Sequence, residues 1–371
     1  MNYPFLLSFL LLASTTSAQE IRFISNSRMV LGVQKEKSAS ISIGDIDGDG
    51  DQDAVVANGR HWPQQNQVFY NDGRGVFTVS RPLDVLSETS YATELADFDG
   101  DGDLDIAVGN DMAPNALYLN DGSGTFTRTG TFGHPYAPTR NLKTADIDAD
   151  GDIDILITNR GKENEICLND GRGHFSEVVL FGSSDDSTID VDVADMNGDK
   201  YPDLVLANRD EQQNYIYLND GHLVFTKRIP FGTGKDETRS VAVVDMDNDG
   251  FPDIVTANIG QPNVVYFGDG KSDYSRQSTF DASAGNSYAL DVGDLDGNGT
   301  IDVAIANSEE PNQVFLNMDA GKVWEKIDLG NEAFDTYDII LADLNNDNRL
   351  DVIESNSDEM NRYYFNAPKK R

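Results

Sequence analysis

An aspartate-rich stretch of nine residues returns seven times along this chain, and no other feature limits its fold so strongly. It reads DIDGDGDQD from Asp45, DFDGDGDLD from Asp97, DIDADGDID from Asp146, DMNGDKYPD from Asp195, DMDNDGFPD from Asp245, DLDGNGTID from Asp294 and DLNNDNRLD from Asp343. The spacings are 52, 49, 49, 50, 49 and 49 residues. A period near fifty describes a supersecondary unit that buries its apolar face only against copies of itself. A second motif follows at a steady offset: NQVFYNDGRGVF from Asn66, NALYLNDGSGTF from Asn115, NEICLNDGRGHF from Asn164 and NYIYLNDGHLVF from Asn214, with weaker copies from Asn263, Asn312 and Asn361.

Each unit reads as four short strands. In the first, Ile41 to Gly44 leads into the acidic loop, Ala54 to Ala57 leaves it, and Val68 to Tyr70 forms a third run. The NDG turn then joins a fourth strand, Val76 to Val79, as a hairpin. Four strands at this period predict an all-β, seven-bladed β-propeller of four-stranded blades. The last unit stops after its third strand, while Glu20 to Ile24 resembles the fourth strands elsewhere. The N-terminal strand is therefore expected to close the last blade and leave no open sheet edge. Residues 19–371 read as one domain without linkers.

The loops place an oxygen-bearing side chain at positions 1, 3, 5 and 9 of every copy, with Gly at position 6 in five. Alternate residues of a tight loop can face inward together, and a carbonyl at position 7 adds another oxygen. That set suits Ca2+, a hard ion taking six to eight oxygen ligands. The expected ligands are Asp45, Asp47, Asp49, Asp51 and Asp53; Asp97, Asp99, Asp101, Asp103 and Asp105; Asp146, Asp148, Asp150, Asp152 and Asp154; Asp195, Asn197, Asp199, Tyr201 and Asp203; Asp245, Asp247, Asp249, Phe251 and Asp253; Asp294, Asp296, Asn298, Thr300 and Asp302; and Asp343, Asn345, Asp347, Arg349 and Asp351. The fourth residue of each set offers its main-chain carbonyl. An EF-hand needs Glu at position 12, where this chain has Val56, Val108, Ile157, Leu206, Thr256 and Ile305, with Glu354 the one exception. Magnesium, which keeps its waters, fits an all-protein cage less well.

Seven dications would add fourteen charges to the formal −36 and leave −22. Such ions would also stabilise the fold. The sites are not equivalent. Asn197 and Lys200 in the fourth loop, and Asn345, Asn348 and Arg349 in the seventh, remove charge or glycine, so blades four and seven are expected to bind weakest.

The charge, from 64 acids against 28 bases, opposes nucleic acid and anionic membrane as partners. The aromatic and β-branched content argues against a disordered acidic chain. Residues 1–18, MNYPFLLSFLLLASTTSA, read as a signal peptide with an apolar run too short to span a bilayer. A secreted protein, extracellular or periplasmic and not inserted in a membrane, is the expectation. Its single cysteine, Cys167, allows no internal disulfide and sits in a strand slot typical of core.

Seven D-x-[DN]-x-[DN]-x-x-x-D loops, each followed by an N-x-x-x-N-D-G-like stretch, resemble the FG-GAP/VCBS repeat proteins, relatives of the integrin alpha-chain propeller. The resemblance covers roughly residues 20–366 and implies calcium on one face and ligand binding on the other. Phe-Gly pairs occur at 132–133, 181–182 and 231–232 without the following Gly-Ala-Pro, which favours the broader bacterial and fungal branch over true integrins. The family hosts lectins, polysaccharide-processing enzymes and adhesion proteins, so fold alone leaves function open.

On the face away from the loops, one position can be followed around the ring. Six residues before each first Asp stand Ala39, Tyr91, Arg140, Ile189, Arg239, Tyr288 and Tyr337. Blade repetition should bring these together at the mouth of the central channel, where tyrosines can stack on sugars and arginines can pair with a carboxylate or sulfate. Neighbouring loops add His61, Trp62, His134 and Tyr136. The competing reading is that these side chains only pack between blades. No nucleophile motif, metal-binding His pair or phosphate loop is present. The chain thus reads as a monomeric binding module for carbohydrate or an extracellular protein. The alternatives are a lyase acting on a uronate-containing polymer, with Arg140 or Arg239 neutralising the carboxylate, and a structural adhesion protein.

Overall fold

The computed structural model describes residues 20–369, so the leader expected at residues 1–18 lies outside them. Among the described residues there is no helix, and the strands form seven antiparallel blades. Blades two to six are each four consecutive strands paired in chain order. Blade two, for example, comprises Ser90–Ala96, Asp105–Asn110, Ala116–Asn120 and Phe126–Gly130.

The second strand of every blade is buried from end to end, as in Asp53–Asn58 and Asp154–Asn159. Both faces of such a strand must be apolar, because blades pack on either side of it. Val55 faces blade two, where it meets Ile106 and Val108, while Ala54 and Val56 face blade seven and Ile353. The core is accordingly divided into seven clusters, one between each pair of neighbouring blades. Cys167 lies in the cluster between blades two and three, fully buried as its strand slot implies.

The closure read from the sequence is present. Ile21–Ile24 is the outermost strand of blade seven, pairing Ile21 with Pro368 and Ile24 with Phe365. Within Asp351–Pro368 the first half pairs with Asp335–Ala342 and the second half with Ile21–Ile24. Two features differ from expectation. The fourth strand of blade one is Val79–Pro82 rather than Val76 to Val79. Gly73 and Gly75, at φ 74° and 70°, stretch the turn, and Phe77 turns into the cluster shared with blade seven before the chain extends. The first strand of blade one is also longer than its acidic loop implied. Val30–Gly44 first runs beside residues 357–362 of blade seven and only then enters its own blade.

Asparagines stitch the ring. The first Asn of the N-x-x-x-N-D-G stretch accepts from the backbone N–H of the second-strand Asn in all seven blades, as Asn115 does from Asn110 at 2.8 Å. Its amide reaches forward to a hydroxyl on the next blade: Asn66 to Ser90, Asn214 to Thr238, Asn263 to Ser287, and Asn361 across the closure to Ser38. The second Asn reaches backward. Asn120, Asn169, Asn317 and Asn366 donate to the carbonyls of Ile46, Phe98, Met246 and Leu295 in the preceding blade's loop, and Asn71 does the same across the closure to Leu344. The sequence reading took NDG for a hairpin turn alone and missed this second task.

Candidate functional site

The acidic loops are held open by their own backbone. In every copy the first Asp accepts the N–H of position 6, from Gly50, Gly102, Gly151, Lys200, Gly250, Gly299 and Asn348. That contact requires a left-handed backbone, with φ from 61° at Asn348 to 100° at Gly151. Glycine adopts it freely, whereas Lys200 and Asn348 do so at a cost. Position 5 accepts the N–H of position 7 in all seven loops. The position-9 aspartates are buried, and each accepts backbone N–H groups from position 2 and from the residue that opens the third-to-fourth-strand turn, as Asp105 does from Phe98 and Asn120.

These contacts leave oxygens to spare. Oδ1 of Asp47, Asp99 and Asp247, all at position 3, is buried without a hydrogen-bond partner. Burial pushes Asp53, Asp154, Asp302 and Asp351 up to about 7, and Asp105, Asp203 and Asp253 to about 6, with neighbouring loop carboxylates adding to the shift. Unpaired buried oxygens and crowded carboxylates are what a bound dication satisfies, so the loops fit the ion that the sequence implies. In five loops three carboxylates bring oxygens within 4.8 Å of one another: Asp45, Asp47 and Asp53; Asp97, Asp99 and Asp101; Asp146, Asp148 and Asp154; Asp245, Asp247 and Asp253; Asp294, Asp296 and Asp302. Blades four and seven are missing from this set because Asn197 and Asn345 stand at position 3.

Three details refine the ligand set. In five loops the position-7 side chains point away from the cage, Asp51, Asp103, Asp152, Tyr201 and Phe251 lying against the turn glycines 73, 122, 171, 221 and 270. Only the carbonyl is left to serve, which explains why Asp, Tyr and Phe are interchangeable there. In the seventh loop Asn345 donates to Asp351 at 3.1 Å and Arg349 pairs with Asp347, so protein donors occupy the carboxylates. The fifth loop, complete in sequence, is also contested. Arg276 lies 2.6 Å from Asp247 and 3.4 Å from Asp249. A half-exposed ion pair of this kind contributes about 1 kcal/mol, so Arg276→Gln should tighten calcium binding at this loop about fivefold. Calorimetric titration of wild type and variant measures this, and unchanged or weaker binding would mean that Arg276 does not compete.

The seven residues followed around the ring, Ala39, Tyr91, Arg140, Ile189, Arg239, Tyr288 and Tyr337, line a single cavity of about 210 Å³. They sit six residues up the first strands from the loops, about 20 Å away at 3.3 Å per residue. Arg140 lies 4.7 Å over the Tyr91 ring and pairs with Asp111 at 2.8 Å. Arg239 lies 5.3 Å over Tyr288, whose ring is 4.9 Å from Tyr337. Tyr337 is capped at 3.6 Å by Arg60, a residue the sequence reading overlooked. Arg60 follows the second strand instead of preceding the first, so tracking one repeat position could not find it. His61 bonds the Tyr91 hydroxyl at 2.9 Å and stands at the rim. Trp62, His134 and Tyr136 are exposed and do not line the cavity.

Below the mouth the channel turns acidic. Asp190, Asp192, Asp291 and Asp338 accept N–H groups from the next blade, at Val241, Val243, Leu341 and Ile41. Lys143 pairs with Asp192 at 2.8 Å. Burial pushes Glu94 and Asp338 up to about 7 and Asp291 to about 6. The four aspartates and Lys143 clamp blades together, and neither they nor Glu94 were foreseen.

A closed ring of four-stranded blades, each with an aspartate loop between its two inner strands, defines a repeat-built β-propeller. Its units match the FG-GAP-like repeat at residues 45–108, 97–157, 146–206, 195–256, 245–305 and 294–354. Each match runs from one acidic loop into the strand after the next, and together they span most of the chain. The chain belongs to the FG-GAP-like repeat family. No curated protein matches it in sequence. Among solved structures it is similar to BBS1N in complex with ARL6DN, in a mercury-soaked crystal (TM-score 0.63, 11% identity, covering 95% of this chain and 99% of that one). A lead-soaked crystal of the same complex gives TM-score 0.65 at 11% identity, covering 96% and 99%. At that identity the likeness concerns the fold.

Proposed function

We propose that this protein is a secreted, calcium-stabilised binding module that takes a carbohydrate or an extracellular partner at the channel mouth. The observation that carries the reading is the meeting of three tyrosines and three arginines at one cavity, on the face away from the acidic loops. Aromatic rings with polar tips, beside planar guanidinium forks, are the usual equipment of a recognition site. BBS1N, of similar fold, is in complex with another protein in its crystals, so a blade ring of this shape can serve as a docking platform. Calcium would rigidify the loops and, through the backward-reaching asparagines, the packing of neighbouring blades.

The hydrogen bond between His61 and Tyr91 beside Arg140 favours one second reading, a lyase acting on uronate polymers. Burial and the neighbouring Arg60 and Arg140 hold His61 below its usual pKa, which keeps the ring neutral and able to act as a base. Native electrophoresis through gels cast with different polysaccharides, with calcium and then with chelator, separates the readings. Retarded migration abolished by Tyr288→Ala is the expected result. A cleared zone with an unsaturated product would establish the lyase. No effect of any polymer would turn the search to protein partners.

A further inference from the structure

We infer that the channel mouth recognises the carboxylate of an acidic sugar unit, held between Arg60 and Arg239. The inference rests on the mouth being the ligand site. In a chain of formal charge −36, three guanidinium groups act together on Tyr91 at this one opening. Only Arg140 has a carboxylate partner there, Asp111. Among the described residues no acid lies within ion-pair range of Arg60 or Arg239. Arg60 Nε is buried with no acceptor. Burial first, then the charge of Arg60 and of Arg209, pushes Arg239 down to about 10. Two like charges thus share the half-buried mouth without an anion between them, an arrangement that a bound oxyanion relieves.

The stacking fixes how that anion is met. Arg60 caps Tyr337, Arg239 caps Tyr288, and the two rings touch. A guanidinium lying on a ring keeps its in-plane N–H groups free, and these form the bidentate fork that carboxylates accept. The deeper acids do not supply the missing acceptor: Asp190, Asp192, Asp291 and Asp338 accept backbone N–H groups of the next blade, Lys143 pairs with Asp192, and Glu94 forms no ion pair with either arginine. A cavity of about 210 Å³ admits one sugar ring entering end-on. The acidic surface opposes a polyanion laid across the face, which leaves a uronate monomer or chain end as the matching ligand.

Calorimetry on the full calcium-loaded protein tests this with galacturonate, galactose and sodium sulfate as probes. Galacturonate should bind at least tenfold more tightly than galactose, weaken as salt rises, and be displaced by sulfate. R60Q and R239Q should each lose about tenfold or more, as expected for a charge-assisted bond. R60K and R239K keep the charge without the fork and should recover only part. Equal binding of galactose and galacturonate, indifferent to both arginines, would overturn the inference while leaving the mouth as a sugar site. Arginine-dependent binding of an acidic peptide but no saccharide would overturn the sugar class. If wild type binds no saccharide and no acidic peptide, the inference falls, and the reading beneath it is left with a folded protein partner alone. The wild-type comparison of probes stands even where a variant fails to fold.

Discussion

Chelation with EGTA is expected to lower the melting temperature of this protein by about 15–20 °C. Five loops converge three carboxylates each. A site held at a hundredfold its dissociation constant stabilises the fold by about 2.7 kcal/mol, so five contribute roughly 13 kcal/mol. The entropy of unfolding, about 2.1 cal/mol/K per residue, amounts to roughly 0.7 kcal/mol/K for a ring of this size. Their quotient is the expected shift. It is large because no disulfide ties the ring and the loops carry buried oxygens with no protein partner. Asp47→Asn and Asp99→Asn should each remove about one-fifth of the calcium effect. Scanning calorimetry with and without EGTA, joined to metal analysis of the purified protein, decides the matter. An identical melting curve in chelator would eliminate calcium as a structural component.

Deleting residues 20–28 should prevent recovery of a monomeric folded ring. Ile21 is buried in the cluster between blades six and seven with Leu329 and Tyr364, and Ile21–Ile24 covers the edge formed by Phe365 to Pro368. Without it blade seven has three strands and an exposed edge, a template for pairing between chains. Ile21→Asp is the gentler test. It removes a buried aliphatic side chain and buries an unpaired charge, at a cost of about 4 kcal/mol, or about 6 °C by the same conversion. Size-exclusion chromatography and thermal melting report on both variants. A truncated chain eluting as a monomer and melting like wild type would show that the N-terminal strand does not hold the ring shut.

The ring and its closure were legible because repetition makes each blade a control for the others. A single DIDGDGDQD stretch is compatible with a turn, but seven at one spacing, each entering a run such as Ala54 to Ala57, leave little else. The mouth was legible for the same reason, since residues at equivalent strand positions in a closed ring must face one axis. What remained hidden depends on position between units. Arg60 belongs to the connection of one blade, and its place over Tyr337 of another follows only from closure. The acids at 190, 192, 291 and 338 appear in sequence as polar interruptions of a strand, and their reach to the next blade needs coordinates. Arg276 lies 29 residues from Asp247, at the start of a fourth strand that begins beside the loop. The fifth loop itself carries aspartate at all four side-chain positions, and nothing within it reveals a competitor.

The join in blade seven also sets an order of events in the life of the chain. Blades two to six are each contiguous in sequence, so each can assemble as it leaves the ribosome. The strand at residues 21–24 is made first but finds its partner only when residues 365–368 appear, nearly the whole chain later. Until then an apolar strand stays unmatched at the start of the chain, and the asparagine bonds from Asn361 to Ser38 and from Asn71 to Leu344 are unmade. Ring closure is thereby made to wait on the last strand, and a chain that stops short of residue 365 differs from the closed ring by an unpaired strand at residues 21–24.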